Sequence, residues 1–180
     1  MKIDPYKHEE KYLRWKEKTQ LQIPEITKVN SDILKQYLQD MEQGLNVSVS
    51  SKKGSRSYIR LNVLRQRMVF LAKAFEKIFS LESITQISEH QLFQFFLDMR
   101  SGVIARKDGK KLKSAKDFVR DFKAFWHWHQ KVNRKSDIEI KDITIDLDPS
   151  GEKPDWVYLT EEQVKKLASS ARLDYQVLIW

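Results

Sequence analysis

The reactive side chains of this sequence that cluster are its lysines and arginines. Residues 51–75 hold Lys52, Lys53, Arg56, Arg60, Arg65, Arg67 and Lys73 and no acidic residue. Residues 106–135 hold eleven basic side chains against three acidic ones, Asp108, Asp117 and Asp121. The whole chain carries a formal net charge of +8, so the rest of it is acidic on balance. Charge segregated in this way marks a surface for an anionic partner. The chemistry available to it is recognition: guanidinium and ammonium groups bond phosphate oxygens or the O6/N7 edge of guanine.

Other arrangements do not assemble into a reaction centre. There is no cysteine, which removes disulfides, thiol catalysis and cysteine-based zinc sites. His127 and His129 stand two apart, and on a helix such positions point about 200° away from each other, so they do not share one ion. Lys107-Asp108-Gly109-Lys110-Lys111 lacks the glycine spacing and the Ser/Thr of a phosphate loop. Asn46-Val47-Ser48 matches a glycosylation triplet by chance in a chain with no secretory leader. No Ser-His-Asp or Cys-His set can be built. No metal and no cofactor is expected.

These basic residues must be positioned by helices. The chain has 180 residues, is 41% apolar and 32% charged, and contains only five glycines and four prolines. That composition suits a folded, mainly helical protein and argues against a turn-rich β-sandwich. No apolar run approaches the ~20 residues of a membrane span, and the absence of cysteine suits a reducing, cytoplasmic setting. Asp4-Pro5 reads as the start of a first helix to about Lys18. Asn30 or Ser31 would cap a second helix that stops at Gly44. A polar loop over 45–56 leads to a long helix from about Ser57 to Ser80, with the stripe Leu61, Leu64, Met68, Leu71, Phe75 and Ile78. Ser88 and Gln91 form a capping box for a short helix ending near Gly102. A basic loop over 103–113 precedes a helix from about Ser114 to Val132. Residues 133–155 alternate apolar and polar residues and read as an extended linker, with or without a short strand. Thr160 and Gln163 cap a further helix, and an apolar element begins at Leu173. The chain is expected to stop inside that second domain.

Helical projection sharpens the basic face. At about 100° per residue, Lys113, Lys116, Arg120, Lys123 and His127 fill an arc of about 80°, opposite Phe118, Phe122, Phe125 and His129. Asp117 and Asp121 fall outside that arc. On the long helix, Arg60 and Arg67 lie beside the apolar stripe. Two helices, each preceded by a basic loop, would therefore offer cationic rows, and an α-helix fits the major groove. The expected DNA-binding residues are Lys52, Lys53, Arg56, Arg60, Arg67, Lys110, Lys111, Lys113, Lys116, Arg120, Lys123 and His127.

The order of parts resembles the tyrosine recombinase (phage integrase) family, in particular its archaeal and Xer-like members. A basic helical module is followed by a linker and then by Pro154, Trp156, Leu159, Thr160, Glu161, Glu162, Val164 and Leu167, close to the opening of that family's catalytic domain. Gln163 departs from the usual Glu-Val pair. Phe118–Trp128 looks like the aromatic-rich last helix of the family's core-binding domain. The resemblance implies an all-α, small orthogonal bundle of the SAM-like kind over 1–132, a linker over 133–155, and the truncated start of a catalytic domain over 156–180. It also implies a fragment that grips duplex DNA while a further domain cuts and rejoins strands, with homo-oligomers on DNA that are tetramers in a full-length parent. The first catalytic arginine and the nucleophilic tyrosine have no counterpart here, and neither Tyr158 nor Tyr175 matches the nucleophile, so the fragment alone is expected to be inactive. Two other readings of the residues remain open: a helical RNA-binding or non-specific DNA-binding module, and a protein–protein adaptor whose basic face meets an acidic partner.

Overall fold

The computed structural model describes residues 4–47, 53–105, 109, 112, 114–150 and 158–170. They form an all-α protein with helices α1 (His8–Lys18), α2 (Lys28–Gln43), α3 (Tyr58–Phe79), α4 (Glu89–Ser101), α5 (Ala115–Arg134) and α6 (Glu161–Ser170), and no strand occurs among the described residues. The chain divides into two compact units, Met1–Ser150 and Gly151–Trp180.

Local chemistry sets the helix ends. Asp4 accepts the His8 amide at 2.6 Å, and the helix starts after Lys7, which is left-handed, rather than at Pro5. Thr27 caps α2 by accepting the Asn30 amide, displacing the expected caps Asn30 and Ser31 inward, where both are buried. Ser57 caps α3, and Ser88 with Gln91 forms the expected capping box of α4. Gly44 and Gly102 end α2 and α4 in the left-handed conformation that glycine adopts without a Cβ penalty. A Cβ at Gly44 would also lie 2.5 Å from the backbone carbon of Gly54, so these two glycines close a neck between α2 and α3. Ser114 makes no capping bond, and α5 runs to Arg134, two residues past the expected end.

The longest helix, α3, is the hub: α1, α2 and α5 pack on it, and α4 packs on α5. Leu61, Leu64, Met68, Leu71 and Phe75 are buried along one side, as their three-four spacing requires, while Ile78 at the end of the stripe is half exposed. Phe75 meets Phe95 of α4 edge-on at 4.8 Å and Phe122 of α5 at 5.9 Å. Such edge contacts add to the burial of the rings themselves. Polar groups tie the same helices together. Glu76 of α3 accepts from the Thr27 amide and from Asn30 Nδ2, and Asn30 Oδ1 accepts the Ile84 amide at 2.6 Å. Trp128 is buried against α2, with its indole N–H donating to Asp40 at 2.7 Å. No buried side-chain nitrogen or oxygen lacks a partner among the described residues.

Residues 135–150 differ most from the sequence reading. They belong to the first compact unit and fold back as a strap over α5 instead of extending away. Ile143, Thr144 and Leu147 are buried, and Ile143 and Leu147 join the core. Two apolar positions of this stretch, Ile143 and Leu147, are buried against the helical bundle rather than in a sheet, while Ile138 and Ile145 stay exposed.

Candidate nucleic-acid interface

The basic residues of α3 and the acidic residues of α5 meet along one seam. Asp121 is 1% exposed and accepts from both Arg60 and Arg67, the latter at 2.8 Å. Arg67 reaches on to Asp117 at 3.1 Å, and Arg120 lies 3.6 Å from the same carboxylate. Arg67 also sits over the Phe118 ring, 5.5 Å from its centre. The guanidinium forks satisfy a carboxylate that would otherwise be buried without its charge compensated. Two of the twelve expected DNA contacts, Arg60 and Arg67, thus hold α3 to α5 and do not stand as an open row. Their exposures differ: the Arg60 side chain is 39% exposed and that of Arg67 21%. Arg67 spends both terminal nitrogens on aspartates, whereas Arg60 contacts Asp121 through one only.

The α5 row divides into two parts. Its first part, Lys116 and Arg120, reaches solvent, with the Arg120 side chain 59% exposed. Its second part is covered by the strap. Lys123 Nζ donates to the carbonyls of Ile145 and Leu147 at 3.2 and 3.0 Å, and His127 Nε2 lies 3.0 Å from Asp142 Oδ2. Trp126 donates to the Lys141 carbonyl at 3.0 Å and Gln130 to that of Ile140 at 2.9 Å. Positions 123, 126, 127 and 130 form one helical face. Asp142 also accepts from the amide and hydroxyl of Thr144 at 2.9 and 2.7 Å. Burial raises the pKa of its carboxyl, but the two Thr144 bonds and His127 more than offset this and hold it below the usual value.

Of the remaining expected contacts, Lys53 and Arg56 lie just before α3, and the Arg56 amide bonds the Met41 carbonyl at 2.9 Å. Lys52, Lys110, Lys111 and Lys113 lie outside the described residues. The loop before α3 and the start of α5 are therefore where described basic residues meet solvent together with the half-exposed Arg60. Sequence reasoning missed Asp117 and Asp121 as partners. The signal was present: both flank the apolar stripe of α5, as Arg60 and Arg67 flank that of α3.

No group of three or more histidine, aspartate or glutamate side chains among the described residues could hold a metal ion. No helix among them is long and apolar enough to cross a membrane. In α6, Thr160 and Gln163 form the expected reciprocal cap, with bonds of 2.9 and 3.3 Å. The other part of the family resemblance, Pro154 and Trp156, lies outside the described residues, as do Leu173 and the element it opens. No protein-family model, no curated protein and no solved structure matches the chain.

Proposed function

We propose that this chain is a DNA-binding helical module, the duplex-gripping part of a site-specific tyrosine recombinase. The observation that carries the reading is charge segregation: residues 51–75 have no acid, and the basic residues leading into α5 continue through Lys116 and Arg120. The Arg60–Asp121–Arg67 seam supports it by setting the start of α3 beside the first half of α5. The binding surface is then narrower than two full rows. It comprises Lys53, Arg56 and the free face of Arg60 on one helix, and Lys116 and Arg120 on the other. Phosphate contacts supply most of the affinity, and few base contacts supply register. The order of parts, not a single motif, favours the recombinase reading.

The test is binding of labelled duplex DNA measured by fluorescence anisotropy, with structured RNA as competitor. Lys116→Glu with Arg120→Glu is expected to weaken binding by about a hundredfold while helical content is unchanged. Preference for RNA would favour a module that recognises RNA. Negligible DNA affinity even at low salt would favour the protein–protein adaptor.

A further inference from the structure

The strap over α5 has a composition that its structural role does not require. Residues 137–148 contain five acidic side chains, Asp137, Glu139, Asp142, Asp146 and Asp148, and one basic side chain, Lys141. They lie on the helix that carries the chain's most regular cationic row. Where the strap meets α5 it offers oxygens in the manner of a polyanion: two carbonyls to the Lys123 ammonium and a carboxylate to His127. Its other acids, Asp137, Glu139, Asp146 and Asp148, are exposed. The closed strap therefore withdraws the Lys123 ammonium and the His127 ring and presents carboxylates near them, which would repel an approaching phosphate backbone.

We infer that residues 138–148 occupy, in cis, a polyanion-binding face of α5, so that nucleic acid and strap compete for Lys123 and His127. The inference rests on the DNA-binding reading above. Opening the strap would extend the exposed row from Lys116 and Arg120 through Lys123 to His127, two further helical turns. The anchors at stake are few. They are the buried side chains Ile143 and Leu147, the Asp142–His127 pair, the carbonyl contacts already described, and two rim pairs, Lys141–Glu89 at 2.7 Å and Arg100 with Asp148. A ligand that binds only the open form pays the closed population as a reduction in apparent affinity, so loosening the strap should tighten binding.

The experiment uses the full 180-residue chain and a duplex of about 20 base pairs at about 50 mM salt, where phosphate contacts are strong. Hydrogen exchange of residues 138–148 is compared with and without DNA, and anisotropy gives the affinity. Bound DNA should raise exchange across the strap, including the Thr144 and Leu147 amides, which are bonded in the closed form. Asp142→Ala, which cuts the His127 pair and the Thr144 turn but leaves the apolar anchors, should bind about three- to tenfold more tightly. The charge-matched control Glu17→Gln, on the exposed side of α1, should stay within about twofold. Unchanged or slower exchange of the strap in a DNA complex overturns the inference and leaves DNA binding intact. Equal gains from Asp142→Ala and Glu17→Gln also overturn it. Binding by Asp142→Ala but not by the natural chain supports it. Absence of binding by both defeats the DNA-binding reading and the inference with it.

Discussion

Arg67 and Asp121 meet at 2.8 Å between α3 and α5, with the carboxylate almost wholly out of water. Asp121 is shared with Arg60, and Arg67 is shared with Asp117, so the seam is a network and not a set of separate pairs. It does two things at once. It fixes the two helices side by side, and it removes the Arg67 guanidinium, and part of that of Arg60, from the surface that charge alone would assign to an anionic partner.

Asp121→Ala should therefore destabilise the protein by about 3 kcal/mol, because it takes the buried counter-ion from Arg60 and leaves Arg67 with Asp117 alone. For a chain of this size that is a fall in melting temperature of roughly 6–12 °C. Replacing Arg60, Arg67 and Asp121 together by apolar residues of similar volume should cost much less. Thermal unfolding followed by circular dichroism checks both.

The affinity for duplex DNA should fall steeply with salt. Each phosphate contact contributes about 0.9 to the slope of log K against log salt concentration. Lys116→Ala with Arg120→Ala should reduce that slope by about 2. Anisotropy titrations at four or five salt concentrations give the slopes directly, and an unchanged slope removes these two residues from the contact surface.

His129 is expected to make stability depend on pH. Burial lowers its pKa below the ordinary 6.5, and its Nδ1 lies 3.1 Å from Asn133 Nδ2, beside the stacked Phe125 ring. The neutral ring is therefore the native form. The unfolded chain binds a proton at higher pH than the folded one, so this contribution is complete above about 6.5. It is lost as the pH falls from there through the depressed folded value. Urea unfolding at a series of pH values should show the decline, and His129→Phe should flatten it over that window.

Phe75→Ala should cost about 3–5 kcal/mol. The ring is fully buried and touches both Phe95 and Phe122, so its loss opens a cavity where α3, α4 and α5 converge. Chemical denaturation at constant m-value is the measurement.

The helices were legible because their signals are local. The stripe from Leu61 to Phe75, the Ser88–Gln91 box and the stops at Gly44 and Gly102 each depend on residues within a few positions of one another. The site was less legible because it is made by tertiary partners. Projection of α5 placed Lys123 and His127 on an outward arc, and they do leave the core, but a segment about twenty residues later covers them. That segment alternates like a strand, but its burial does not follow the alternation: Ile143, Thr144 and Leu147 are buried while Ile138 and Ile145 are exposed, because residues 143–146 form a turn. Alternation in sequence therefore names neither the buried side nor the surface that covers it. Asp117 and Asp121 looked incidental because their partners on α3 lie fifty or more residues away in the sequence. Thr27 replaced the expected caps of α2 because Asn30 is more valuable inside, bridging Glu76 and the Ile84 amide.

The contact of Gly44 with Gly54 separates two kinds of evolutionary freedom. Because the backbone is pinned at that crossing and Val47 is held in the core, changes of length or composition are expected to be tolerated only after Val47, without altering how α2 meets α3. Doubling such a loop costs only about 0.6 kcal/mol in closure entropy. Lys52 and Lys53 stand in that part of the sequence, whereas Arg60 is bound into the seam. On the DNA-binding reading proposed above, divergence in target preference would be accommodated upstream of α3 while the bundle itself stays the same.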